Sequence, residues 1–265
     1  MSTLVCRLAG PLQSWGEEAR FNHRGSLPYP SYAGLLGLAR AALGHNRYGR
    51  NAATGEPADE QPLRALHMAV RIDQPGRTLL DYHTVNPPPI SQYAWLSEAD
   101  QAKLATIAMG NGRPWAIKGQ QQTLQTWRTY LTGAVFTWFL HGNPAYLRNL
   151  ADALIEPYWP LSLGRKACLP DQPLVLGISP DELNDSATRT PATGAASSRT
   201  LHLFHTSVDP RDAVQLRGRT VTHADLPLGP HPHDRYGYQT RTVTRVEPPT
   251  MTRDELLTWA KENLS

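Results

Sequence analysis

Cysteine is nearly absent from this chain. Cys6 and Cys168 are the only two in 265 residues, too few for a disulfide framework and suited to a reducing cytoplasm. Lysine is scarce among the cations: Lys103, Lys118, Lys166 and Lys261 are four of the 26 basic residues, and the rest are arginines. No apolar run reaches the ~18 residues that a membrane-spanning helix needs. Residues 1–10 lack the basic start and long apolar block of a signal peptide. There is no Walker lysine loop, no dinucleotide fingerprint, no Gly-x-Ser-x-Gly elbow and no internal repeat. These absences exclude membrane spans and the common nucleotide-binding and serine-hydrolase classes.

The chain does have arginine, proline and glycine. The net charge is only +3, but arginine offers a planar fork that suits phosphate and stacks on bases. Codon usage in a GC-rich genome explains the arginine bias equally well. Twenty-three prolines and 20 glycines argue for many irregular connections and against a helical bundle. Hydrophobic residues at 40% supply a core, and at about 150 residues per domain the length fits one to two domains.

Residues 3–9 alternate as a strand, with Leu4, Cys6 and Leu8 on one face. Ser31 caps a helix running to about Gly44, with an apolar stripe from Leu35 to Leu43. Residues 65–72 alternate again and 78–85 read as extended. Ser97 and Asp100 form a capping box for a short helix near 98–109. Residues 122–140 read as two strands broken at Gly133, and Asn143-Pro144 opens a helix. Residues 161–177 read as strand, glycine turn and strand. The sum is α+β, a ferredoxin-like β-α-β-β-α-β order over 1–170 with an excursion at about 81–126. Residues 171–265 read as a smaller β-rich C-terminal domain, with a low-complexity, mobile loop at 184–198 and a terminal helix at 252–264 behind the capping box Thr252/Glu255. Within it, Arg241, Val243 and Arg245 share one strand face.

Candidate chemistry is limited. His202 and His205 sit three apart on a strand and diverge, while His231, His233 and Asp234 share a proline-rich loop that explains them without a metal. No metal and no cofactor is expected. Glu17-Glu18 and Asp254-Glu255 read as solvated surface. Metal-free RNA cleavage needs only a base, an acid and a cation around one phosphate, roles open to Tyr82, His83 and Lys118. Packing in a strand accounts for Tyr82 and His83 more simply. RNA binding fits better. Gly10 to Gly16 (GPLQSWG) joins a glycine turn to an aromatic, and Gly164-Arg165-Lys166 joins one to two cations. Both lie at strand ends that a ferredoxin-like sheet brings near each other. The ordinary alternatives are Trp15 as a core plug and Arg165-Lys166 as a solvated turn.

Five segments in order carry a resemblance: CRLAGPLQSWG at 6–16, SYAGLLGLARAALG at 31–44, DYHTV at 81–85, QTLQTWRTYLTGAVF at 122–136 and PLSLGRKACLPDQPLVLG at 160–177. The chain resembles the type I-E branch of the fifth CRISPR-associated (Cas) protein family; residues 178–265 carry no matching motif. The resemblance implies an RNA-recognition-like (RAMP) domain with an inserted β-hairpin thumb, in a non-catalytic subunit of the antiviral surveillance complex Cascade. Such subunits cap the 5′ handle of the CRISPR RNA and contact the CasC backbone subunit and the large subunit CasA; target DNA is reached through the complex. Type I-C relatives instead cut precursor RNA without metal, which is the alternative for Tyr82, His83 and Lys118. Under the resemblance, Gln13, Ser14 and Trp15 hold handle nucleotides and Arg165 and Lys166 neutralise handle phosphates. His83, Lys118, Gln121 and Trp127 line the thumb side, Trp127 by packing or stacking. Arg128 reaches the same groove or a carboxylate.

Overall fold

The computed structural model describes residues 1–20, 22–46, 48–85, 97–100, 124–204, 218–227 and 236–265. They form two compact units. The first holds Met1–Glu17, Gly25–Leu79 and Tyr130–Ser265; the second holds Glu18–Arg24 and Leu80–Thr129.

The chain opens with β1 (Ser2–Ala9), β2 (Leu12–Gln13), β3 (Trp15–Arg20) and β4 (His23–Leu27). Helix α1 (Tyr32–Ala42) starts where Ser31 Oγ accepts the Gly34 N–H at 3.2 Å, satisfying one of the orphan donors of the first turn. A single turn α2 (Gln61–Arg64) precedes β5 (His67–Gln74) and β6 (Arg77–Val85). Strands β7 (Leu124–Thr132) and β8 (Val135–Gly142) meet at Gly133, as expected, where φ is +62°. Asn143 caps α3 (Pro144–Ile155) by accepting the Ala145 and Tyr146 N–H groups at 2.9 and 3.3 Å. Then come β9 (Val175–Ser179), α4 (Leu183–Arg189), β10 (Ala192–Thr193), β11 (Arg199–Phe204), β12 (Arg219–Pro227), β13 (Tyr236–Val246) and β14 (Thr250–Met251). The last helix, α5 (Arg253–Asn263), carries the expected capping box of Thr252 and Glu255. Ser97 and Asp100 also bond to each other as expected, but residues 101–109 of that helix lie outside the described residues.

The main sheet has the order β12-β13-β11-β5-β8-β1-β9, antiparallel at every recorded pairing. Strands β1, β5, β8 and β9 with helices α1 and α3 give the expected strand–helix–strand–strand–helix–strand order. Alternation decides the core. Leu4, Cys6 and Leu8 of β1, Met68 and Val70 of β5 and Phe136, Trp138 and Leu140 of β8 pack on one face with Leu35, Leu36 and Ala39 of α1 and Leu147, Leu150 and Leu154 of α3. The opposite face buries Val5, Ala69, Phe139 and Leu201 with Leu183 and Ala187 of α4. A second sheet has the order β2-β7-β4-β3, with β6 paired to β7.

Three expectations change. The boundary at 170 falls inside the first unit, because β9 pairs with β1 and β11 pairs with β5, extending one sheet. Residues 161–163 form no strand; Leu163 instead bonds to the loop at Cys168. The stretch 184–198 is ordered around a buried cation, despite its low complexity. Arg71 on β5 is fully buried. Its Nε and Nη2 donate to the two Asp73 oxygens at 2.6 and 3.2 Å. Its Nη1 donates to the carbonyls of Ala187 and Thr190, both at 2.6 Å, and Nη2 also reaches that of Pro191 at 3.0 Å. Thr137 Oγ1 donates to Asp73 at 2.7 Å. Arg71 therefore satisfies two of the orphan carbonyls at the end of α4, those of Ala187 and Thr190, and its desolvation is offset because all its N–H groups have acceptors.

Removing one partner leaves the other charge buried and uncompensated. Asp73→Ala is expected to lower the unfolding free energy by about 3–5 kcal/mol, read by urea denaturation. A loss within the range of an ordinary surface substitution, about 0.5 kcal/mol, would sink this account of the C-terminal half.

Candidate nucleic-acid interface

In the first unit, the two glycine loops meet. The Ser14 N–H donates to the Leu163 carbonyl at 3.0 Å. Gly164 adopts a φ of +97°, and a Cβ there would lie 1.6 Å from the Ser14 oxygen. Only glycine fits this approach, which explains Gly164 at the turn. The turn closes on itself through Leu163 N to Cys168 O at 2.7 Å and Cys168 N to Arg165 O at 2.8 Å. Burial pushes the Cys168 thiol up, so it sits protonated beneath the turn as packing.

The side chains of the first loop point inward. Gln13 is fully buried; its Nε2 donates to the Leu8 and Ala134 carbonyls at 3.2 and 2.8 Å. Its Oε1 accepts the Trp15 indole N–H at 3.1 Å. Trp15 is 1% exposed and Ser14 is also buried, so Trp15 is the core plug of the ordinary alternative. Outward, the loop presents Gly16. On the second loop, Lys166 is exposed and Arg165 half-buried. The Arg165 guanidinium lies 4.7 Å over the Tyr130 ring and Nη2 donates to the Gly25 carbonyl at 3.4 Å. The aromatic holds the cation in place at the surface.

In the second unit, β4 and β7 run parallel, with His23 opposite Trp127 and Arg24 opposite Arg128. The Trp127 N–H donates to the Asn22 carbonyl at 2.9 Å. The His23 and Trp127 rings stack at 4.7 Å, and Tyr82 on β6 touches Trp127 with ring centres 5.4 Å apart. Strand alternation sends Arg24, Arg128 and His83 to the opposite face. There His83 bonds to the Asp81 carboxylate. The ribbon thus carries rings on one side and Arg24, Arg128, His83 and Asp81 on the other.

Of the residues read from the sequence, Gln13, Ser14, Trp15, Arg165 and Lys166 come together in the first unit. Trp127, Arg128, Tyr82 and His83 come together in the second, but adjacent positions on β6 send Tyr82 and His83 to opposite faces. Lys118, Gln121, His205, His231, His233 and Asp234 lie outside the described residues, among which no His, Cys, Asp or Glu cluster that could hold a metal occurs. Sequence reading missed Tyr130, His23 and Arg24. Tyr130 lies two residues beyond Arg128 in a strand already read; His23 and Arg24 gain meaning only from pairing with residues about a hundred positions away.

A model of the family described as CRISPR-associated protein (Cas_Cas5) matches residues 3–244. The chain belongs to the Cas5 family. Among curated proteins, it is 31% identical to the CRISPR system Cascade subunit CasD of Escherichia coli (strain K12) over 183 residues, 66% of this chain and 70% of that one. Among solved structures, a chain of a CRISPR RNA-guided surveillance complex superposes with a TM-score of 0.69 at 28% identity, covering 98% of this chain and all of the other. A crystal structure of a Cas protein gives 0.58 at 28% identity, covering 93% and 95%. No helix among the described residues of this Cas5 chain is long and apolar enough to cross a membrane.

The loop contact yields a paired test. Gly55 also has positive φ, +75°, but open space above it. Gly55→Ala should cost only the left-handed strain, about 1–2 kcal/mol. Gly164→Ala should cost distinctly more, because the new methyl meets the Ser14 backbone. Equal losses in urea denaturation would mean that the two loops are not locked together.

Proposed function

We propose that this Cas5 chain is a non-catalytic subunit of a type I-E Cascade complex that holds and caps the 5′ handle of the CRISPR RNA. It takes CasC as its neighbour in the backbone and helps seat the large subunit CasA, in antiviral defence in the cytoplasm. The observation that carries this reading is the locked pair of glycine loops, with Arg165 and Lys166 at its surface. The kinship with a Cascade subunit and with a chain of an RNA-guided complex supports it. We read the strand order β9-β1-β8-β5 as a ferredoxin-like, RNA-recognition-type domain, and the second unit as its thumb.

In this reading Gln13 and Trp15 act by bracing the first loop, so that its backbone around Ser14 and Gly16 meets the handle. Arg165, fixed over Tyr130, and Lys166 neutralise phosphates. His83, Lys118, Gln121, Trp127 and Arg128 line the thumb side. The second reading, a metal-independent endoribonuclease, draws support from the carboxylate-oriented His83. Against it, Tyr82 points away from His83 and has no route to the same phosphate from the strand.

Both readings meet one experiment, with end-labelled repeat RNA in EDTA. Native and denaturing gels are expected to show a shift without cleavage. Replacing Arg165 and Lys166 by alanine should weaken binding and flatten its salt dependence, by about 0.7 in log–log slope for each lost single-strand phosphate contact. An unchanged slope would remove both residues from the site. Cleavage at one repeat position, lost in His83→Ala or Lys118→Ala, would make the chain the processing enzyme.

A further inference from the structure

Three rings stand in one row on the second unit. His23 and Trp127 are parallel to within 6° with centres 4.7 Å apart. Tyr82 continues the row at 5.4 Å from Trp127, tilted by 43°. Tyr82 lies on β6, which among the described residues is paired to β7, so its ring ends the row at the sheet margin. It is 50% exposed. A lone exposed tyrosine is ordinary on a protein surface. A stacked His23–Trp127 pair with a third, half-exposed ring tilted against it is a different object, because its arrangement is already set before any ligand arrives.

We infer that this row is a stacking shelf for an unpaired nucleobase, which joins it on the outer face of Tyr82. The inference rests on the RNA-binding reading above and adds a second kind of contact to it, base stacking in place of phosphate neutralisation. Every base has a π-face, so such a shelf accepts any sequence. Unpaired bases are also the ones available for stacking, since duplex bases already stack on their neighbours. The aromatic face carries Tyr82 and Trp127, while alternation puts Arg24 and Arg128 on the reverse of the ribbon. The shelf therefore binds without releasing counterions, and its contribution is insensitive to salt.

The test uses the full chain, single-stranded repeat RNA, and a set of the same RNA with one abasic position each, followed by fluorescence anisotropy at several salt concentrations. Tyr82→Ala is expected to weaken binding by about 5- to 150-fold, the range of one base–aromatic stack. Its salt slope should equal that of the native chain. Tyr82→Phe keeps the ring and should bind as the native chain does. One abasic position should weaken the native chain and leave Tyr82→Ala unaffected. Unchanged affinity in Tyr82→Ala, a loss in Tyr82→Phe equal to that in Tyr82→Ala, a changed slope, or no abasic position that separates the two proteins would each overturn the shelf. If the native chain binds repeat RNA and Tyr82→Ala matches it, the shelf alone falls. If the native chain does not bind repeat RNA, the RNA-binding reading falls and the shelf with it.

Discussion

A guanidinium buried without partners is among the most expensive groups a protein can enclose. Arg71 sits in the middle of the main sheet and is fully enclosed, so the structure around it is constrained to supply acceptors. Asp73, two residues along the same strand, provides the carboxylate. The other acceptors are the carbonyls of Ala187, Thr190 and Pro191 at the end of α4. The carbonyls of Ala187 and Thr190 belong to the helix terminus, where the last carbonyls have no partner within the helix. Two deficits thus satisfy each other, and the segment after β9 is fixed over the sheet. Arg199 repeats the device on a smaller scale, donating to the carbonyls of Thr193 and Gly194 at 3.2 and 3.0 Å. The low-complexity stretch is ordered because it offers backbone oxygens in the right places, a property independent of its side chains.

The glycine loops depend on the same rigid sheet in another way. Gln13 amide bonds reach the end of β1 at Leu8 and the start of β8 at Ala134. The first loop is therefore tied to two neighbouring strands and held under the indole of Trp15. The second loop closes on itself and presses Gly164 against Ser14. Among the residues left outside are Gly16, Lys166 and Leu169, with Arg165 half-buried on the Tyr130 ring. This division puts the side chains Gln13, Ser14 and Trp15 inward, where they hold the loops in one arrangement.

The ribbon of the second unit solves a different problem with the same alternation rule. A strand sends successive side chains to opposite faces, so Tyr82 and His83, like Trp127 and Arg128, part company by construction. Rings collect on one face and cations on the other. One short ribbon thereby presents rings and charged groups on separate faces.

Much of this was legible in the sequence. The alternation of Leu4, Cys6 and Leu8, the caps at Ser31, Asn143 and Thr252, and the turn at Gly133 are local, and local chemistry fixes them. The glycine at the turn of the second loop was legible as a position needing unusual backbone, and Gly164 does adopt a φ of +97°. Tertiary structure alone decided the rest. The pairing of β11 with β5 carries the C-terminal half into the main sheet, and no local signal states which strand a given strand will join. Whether Trp15 would plug the core or face a ligand depended on what lay beneath it. That His23 stacks on Trp127 depended on a parallel pairing between segments about a hundred residues apart. By itself the sequence determined the elements and the turn chemistry, because those depend on neighbours along the chain. The fold decided which faces those elements show, because burial is a property of the whole packed molecule.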